Sequence, residues 1–437
     1  MTPRHIAIVG GGYSGTLQAI NLLRHSQARV TLIERADRLA RGVAYSTPHA
    51  DHLLNVRAGR MSAFADAPDH FATWWGDAAG FAERRAYGSY LEDLLQDAAR
   101  GAGDRLQILK NEAVAVTRGD ADESVHLSGG GRLQADIVIL SIGNLPPEVP
   151  RGISGQLPDD VYVADPWSGD IAAGLEDGDR LLLVGTGLTA VDAALILDSA
   201  GFKGKTLALS RRGLVPRAHD DAVPPVPALP EPPEGALSGL VRSVRRQGER
   251  IGWQAAVDQL RPHTQPLWAS ASVEQRRRFL RHLRPWWDVH RHRIAPEIAA
   301  RIAAMERAGR LRFAAGKLVS AEADGAGALV QWRPRGEARA ETLHVRRIVN
   351  CTGPQGDISR AGEPLLTQLS EAGRIRPDPC RIGIDIDERC RTLDADGEPS
   401  ASLYAIGPMT RGALWEIVAV PDLRVQTDAL ARRLGGA

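Results

Sequence analysis

The residues best placed to do chemistry are glycines at fixed spacing. Gly10, Gly12 and Gly15 follow the apolar run at residues 6–9 and open an amphipathic stretch at residues 16–24. In a strand–turn–helix unit the first glycine permits a tight turn. The second lets backbone approach a pyrophosphate, and the third allows close helix–strand packing. Tyr13 and Ser14 complete that turn. The free N–H groups and positive dipole end of the helix then face the phosphates. Glu34 ends a second strand-like run at residues 29–34, where an acid accepts hydrogen bonds from a ribose diol, and Arg35 follows it. The pattern recurs at Gly185, Gly187, Thr189 and Ala190, with Ala190 in the third-glycine position. Here the following strand ends in Ser210, Arg211 and Arg212. Guanidinium groups are permanently charged, bidentate donors suited to a 2′-phosphate, whereas a bare 2′-hydroxyl favours a carboxylate. The expected second cofactor is therefore NADPH, not NADH.

Two dinucleotide sites on one chain imply hydride transfer between a bound flavin and a diffusing nicotinamide. FAD is expected in the first site because two later apolar strands end in glycine turns, at Gly143 and Gly353. These flank the second glycine motif, as crossovers between nested domains require. The expected fold is α/β, with two nested Rossmann-like dinucleotide-binding domains and a helical insertion. Residues 1–147 and 348–437 would form the FAD domain, and 148–219 with 308–347 the NADP domain. Residues 220–307 would hold a proline-rich connector, with six prolines at positions 224–233, and a helical insertion from Ala236.

The 437-residue chain exceeds what one hydrophobic core usually serves. It is 43% hydrophobic and 24% charged, which excludes disordered and collagenous classes. A net charge of +1 makes no electrostatic case for nucleic acid or a membrane surface. Cys351, Cys380 and Cys390 form no C-x-x-C pair, which disfavours a redox dithiol or a zinc site and fits a reducing cytoplasm. The strand-like segment beginning near His5 leaves no room for a signal peptide, and no apolar run is long enough to span a membrane.

Three stretches make the reading more specific. They are residues 42–47 (GVAYST), 52–56 (HLLNV) and 59–64 (GRMSAF), joined near the end by residues 405–408, Arg411, Gly412, 414–417 and 420–424. Together they resemble a bacterial FAD–NAD(P)-binding family that includes FAD-dependent urate hydroxylases and aspartate N-monooxygenases. The resemblance implies a cytoplasmic FAD monooxygenase that consumes NADPH and O2. Reduced flavin would form a hydroperoxide and transfer one oxygen atom to a small polar, nitrogen-containing metabolite. It also implies flavin contacts near Asn55, Met61, Ser62, Gly407 and Trp415. One departure stands out: Pro408 follows Gly407 where many flavoproteins carry an aspartate, so contacts there would fall to backbone groups.

For the substrate, residues 281–293 are dense in Arg, His and Trp. Arg293 would pair with a carboxylate or enolate, Trp286 would stack, and His290 would exchange a proton, with Asn55 near the flavin. The equal alternative is an amphipathic surface helix. His290 and its neighbours do not have metal-site spacing, and Arg276, Arg277 and Arg278 read as a solvated face. Two other functions fit the same motifs: a flavin reductase or dehydrogenase serving a quinone or protein partner, and a non-catalytic FAD-binding redox sensor.

Overall fold

A computed structural model describes residues 3–120, 122–153, 157–222, 226–233, 235 and 237–436. Pro224, where the proline connector was expected to begin, and Ala236 lie outside these residues. The fully apolar runs become strands covered on both faces. His5–Val9, Arg29–Glu34 and Ile137–Leu140 each bury four residues in succession. They form the centre of a six-stranded sheet. Its parallel order is Pro399–Ala405, Ile137–Leu140, His5–Val9, Arg29–Glu34 and Leu106–Lys110, with Arg391–Leu393 antiparallel at one edge. Strand order reverses between His5–Val9 and Ile137–Leu140. In open α/β sheets this switch point opens a crevice beyond the strand ends.

The second sheet repeats the design. Lys205–Ser210 and Arg347–Asn350 flank Arg180–Val184 in parallel, so the switch point falls after Val184. Residues 348–350 were expected in the FAD domain, but the strand Arg347–Asn350 pairs here, as does Tyr162–Val163. Its sequence signal, an apolar run ending in a glycine turn, is the same whichever sheet takes the strand. The helical insertion is also shorter than expected. Pro296–Arg307 places Ile298, Ile302 and Met305 in the second domain's own core, as the crossover into Leu311–Asp324.

The two motifs share one steric constraint. Gly10 has φ +101° and Gly185 φ +136°, a region closed to most L-residues. A Cβ on Gly10 would lie 2.2 Å from the Ser141 carbonyl oxygen, and one on Gly185 would lie 2.2 Å from that of Cys351. The neighbouring strand crosses each turn at backbone contact distance, which only glycine allows.

The domains are joined by buried polar contacts. Arg84, in the helix Arg84–Ala102, bonds both carboxylate oxygens of Asp192 at 2.7 and 3.3 Å. Asp192 is 5% exposed on the second domain's helix Leu188–Ser199. His52 is fully buried, with Nδ1 2.7 Å from Thr47 Oγ1 and Nε2 3.2 Å from the Asp192 carbonyl. Burial, more than any neighbouring charge, pushes its pKa down, so the ring is held neutral. Removing Arg84 alone would strand a buried carboxylate, at a cost of about 3–5 kcal/mol. Arg84→Ala should lower the urea midpoint sharply, while Arg84→Met combined with Asp192→Leu should recover most of it. Equal loss in both variants would show that the pair's charge is not what matters.

Candidate functional site

The first motif delivers an open helix start. Tyr13–His25 is capped by Gly12 with no side-chain hydrogen bond, so its first N–H groups have no internal acceptor. They open on a cavity of about 1020 Å3 bordered by Gly10, Gly12, Tyr13 and Ser14. A Cβ on Gly15 would lie 1.8 Å from the Gly10 carbonyl oxygen, so the helix is pressed onto its strand as the motif requires. Glu34 and Arg35 line the same cavity. Glu34 already accepts from the N–H of Gly11 at 2.6 Å and of Ala36 at 2.8 Å, one bond to each oxygen. The carboxylate is thus fixed in place, with a lone pair left on each oxygen for a diol. Arg35 is held by Glu112 and Glu363, at 3.0 and 3.1 Å.

The rest of the cavity comes from three places. Residues 42–47, Gly143 and Pro408 border it from the first domain. Trp167 and Asp170 reach it from the segment leading into the second domain. One cavity therefore touches both domains. Beneath it, Tyr45 packs on Tyr87 with ring centroids 4.8 Å apart, and Tyr13 lies 6.0 Å from Tyr45. Burial raises the pKa of all three phenols, so the floor is uncharged. The cavity's size, the uncapped helix start and the fixed Glu34 fit an extended dinucleotide with a large planar group. Buried Ser141 Oγ lies beside Gly15 with no hydrogen-bond partner.

The second turn is similar but looser. Leu188–Ser199 is capped by Gly187, again without a side chain. No atom lies within 4 Å of a Cβ built on Gly187, and the third-glycine position accepts Ala190, fully buried. Thr189 is half-buried in the first helical turn. Ser210 is occupied, its Oγ meeting Thr186 Oγ1 at 2.8 Å and accepting from Gly213 N at 3.0 Å. Arg211 is exposed and, among the described residues, makes no hydrogen bond or ion pair. Arg212 makes two long contacts, 3.4 Å each, to the carbonyls of Arg281 and His282. Both guanidinium groups can thus turn to an anion. The crossovers carrying Gly143 and Gly353 meet through the Leu145–Gln355 bridge.

Other expected contacts fall elsewhere. Met61 and Ser62 are buried beside the cavity without lining it: the Met61 carbonyl accepts from Tyr87 Oη, and Ser62 Oγ donates to Ala67 O at 2.6 Å. Gly407 N–H, expected to face a flavin, donates to Gln426 Oε1 at 2.9 Å. Trp415 stacks on Trp268 at 4.6 Å and anchors the helical insertion. Arg293 is 5% exposed and forks onto Asp258 at 2.7 and 3.1 Å. It also donates to the His290 and Gln254 carbonyls. It braces the insertion internally and has no face left for a substrate. His290 is half-buried, with Nδ1 2.7 Å from the Trp286 carbonyl and its ring edge-on to Trp253. The Asn55 side chain makes no hydrogen bond among the described residues, while its carbonyl accepts from His219 Nε2 at 3.0 Å. Sequence reasoning passed over His219, Trp167 and Asp170. Only the Asp165-Pro166 turn before Trp167 could have marked that segment.

Comparison with known proteins follows the same lines. Residues 7–145 match the model of the FAD-NAD(P)-binding family. That span holds residues 42–64, the stretch on which the family resemblance was read, and it names the two expected cofactor classes. No curated protein matches in sequence. Among solved structures, L-lysine 6-monooxygenase from Pseudomonas syringae superposes with a TM-score of 0.67 at 16% identity, covering 99% of each chain. The ornithine N-hydroxylase of Kutzneria sp. 744, a complex with reduced FAD, NADP+ and L-ornithine, gives 0.65 at 15% identity and 98% of each chain. T. acidophilum thioredoxin reductase gives 0.55 at 13% identity, over 99% of this chain and 98% of its own. The chain has the two-dinucleotide flavoprotein fold, end to end. Among the described residues there is no group of side chains that could hold a metal, and no helix is long and apolar enough to cross a membrane.

A branched side chain at Gly12 would crowd the pyrophosphate path, since even its Cβ would lie 3.3 Å from Gly42 Cα. Gly12→Val should therefore yield folded but colourless protein. Full flavin absorbance in that variant would contradict the first site.

Proposed function

We propose that the protein is an FAD-dependent monooxygenase that takes electrons from NADPH and places one oxygen atom of O2 on a small polar, nitrogen-containing metabolite. The observation that carries this is the recurrence of an uncapped glycine turn at a helix start, the first opening on a cavity that reaches the second domain and the second followed by an arginine pair. FAD, when bound, supplies electron transfer and oxygen activation. The chain's residues position and protect. The open N–H groups of Tyr13–His25 hold the FAD pyrophosphate, and Glu34 takes its ribose. Gly187 and the start of Leu188–Ser199 hold the NADPH pyrophosphate, while Arg211 and Arg212 select the 2′-phosphate. Tyr13 and Tyr45 line the cavity and pack on buried Tyr87 behind them, an aromatic wall that limits access of water to the reacting centre.

Two of the neighbours support the substrate class: one is named for hydroxylating ornithine and the other as a lysine monooxygenase, both substrates nitrogen-containing. A dithiol reductase reading, which the likeness to thioredoxin reductase raises, lacks chemistry of its own here. Cys351 and Cys390 are buried, burial holds both thiols protonated, and no two cysteines are close in sequence.

Incubation with NADPH under 18O2 should give a product carrying one labelled oxygen, matched to NADPH consumed. Oxidation of NADPH with electrons passed only to a quinone would replace this reading with the reductase one. In the variant Arg211→Ala with Arg212→Ala, the KM for NADPH should rise roughly 10- to 100-fold, about the worth of one or two charge-assisted hydrogen bonds. The KM for NADH should barely move. Equal rises would remove the 2′-phosphate assignment.

A further inference from the structure

Among the described residues, none of 237–291, the helical insertion, borders the cofactor cavity. Its contacts gather instead behind one wall of it. Trp268 Nε1 donates to the Gly412 carbonyl at 2.8 Å, and the Trp268 ring stacks on Trp415. Trp287 Nε1 and Arg291 Nε, both on the helix Arg284–Arg291, donate to the two carboxylate oxygens of Glu416 at 2.7 and 3.3 Å. Arg261 pairs with Asp422. All of these grips fall on residues 412–422. That segment carries Val418 and leads into Leu423, both of which border the cavity.

Glu416 is the strained member of the segment. Its φ is +65°, a left-handed conformation that costs a non-glycine residue energy and persists where its surroundings enforce it. The side chain is 3% exposed, and the insertion holds both of its oxygens. This conformation has a consequence two residues on. The Glu416 carbonyl accepts from Val418 N at 2.6 Å and from Ala419 N at 3.3 Å, which closes a tight turn. Ile417 is buried, and Val418 is left 41% exposed beside the cavity. Walls that receive a cofactor are largely apolar, and Val418 supplies such a surface.

The wall lies on one side of the site. Residues 408–423 follow the strand Pro399–Ala405, and Glu34 ends Arg29–Glu34. These two strands lie on opposite sides of His5–Val9, whose turn leads into the open helix start. A dinucleotide with its pyrophosphate at that start and its ribose on Glu34 runs its flavin half towards Val418.

We propose that Glu416 is a positioning residue: the insertion, acting through Trp287 and Arg291, holds its turn in the left-handed conformation and so presents Val418 to the flavin half of FAD before the cofactor arrives. The direction in which FAD lies rests on the proposed function, which puts its ribose on Glu34; the oxygenation chemistry plays no part. Strain accepted during folding need not be met again on binding, which is how a preorganised wall raises affinity.

The test titrates FAD-free protein with FAD and, separately, with ADP, which has the adenosine and pyrophosphate but no flavin. Glu416→Ala and Glu416→Gly lose the same side-chain contacts and differ in the cost of a positive φ. Glu416→Ala should bind FAD roughly tenfold more weakly than the wild type, the worth of forcing one non-glycine residue into that conformation. Glu416→Gly should lose distinctly less, and Glu416→Gln, which keeps the acceptor for Trp287, less still. ADP should bind all of them as it binds the wild type. If Glu416→Ala does not fold, Trp287→Phe decides. It keeps the ring and the ion pair, and should weaken FAD about threefold, the worth of one hydrogen bond, with ADP unchanged. Equal losses in Glu416→Ala and Glu416→Gly, unchanged FAD affinity in Glu416→Ala or Trp287→Phe, or a loss for ADP as large as that for FAD would overturn the proposal. Wild-type protein that binds FAD but yields no labelled product would remove the monooxygenase reading and leave the positioning role standing. Variants that keep wild-type FAD affinity and still yield labelled product would do the reverse.

Discussion

The structure depends on leaving the starts of two helices unsatisfied. Backbone N–H groups at a helix start need an acceptor, which a capping side chain can supply. Few of the described helices have one, and at Tyr13–His25 and Leu188–Ser199 none is possible, because Gly12 and Gly187 have no side chain to offer. The acceptor must come from outside, and a phosphate is well suited. The close approach of Gly10 to Ser141 and of Gly185 to Cys351 aims each open end into a crevice between strands. Both sites are thus one solution to one local problem, used twice.

What differs between the sites is how firmly they are closed. At Gly15 the helix touches its strand so tightly that no Cβ fits, whereas the second turn accepts Ala190. The first site is walled by tyrosines and holds Glu34 in place with two backbone bonds. The second has an exposed Gly187 and an unencumbered Arg211. This contrast is what the proposed function requires of a resident cofactor in the first site and an exchanging one in the second.

The domains and the insertion are held in register by buried charge. Arg84 with Asp192 ties the first domain's long helix to the second domain's cofactor helix. Trp287 Nε1 and Arg291 Nε meet Glu416 at 2.7 and 3.3 Å, tying the insertion to the C-terminal segment. Glu416 has φ +65°, a conformation that costs energy in a non-glycine residue and persists where neighbours enforce it. Such contacts leave charges stranded if broken singly, so they specify position more than they add stability.

The glycine turns, the acid at Glu34 and the arginine pair were legible from residue type and spacing, because each acts through backbone geometry or charge within a few residues of its strand. The apolar strands were legible too, since a run buried on both faces has no polar alternation to obscure it. Assignment of Arg347–Asn350 to a sheet was not, for that run would suit either sheet equally. Nor were the roles of residues 281–293: whether Arg293 faces a substrate or Asp258 depends on a helix that packs against it from 35 positions away. Sequence determined by itself that two dinucleotides could bind, because the binding unit is local. Only tertiary structure decided that the first turn opens on a cavity reaching the second domain, and which arginines are already paired, because a charge's availability depends on every element folded around it.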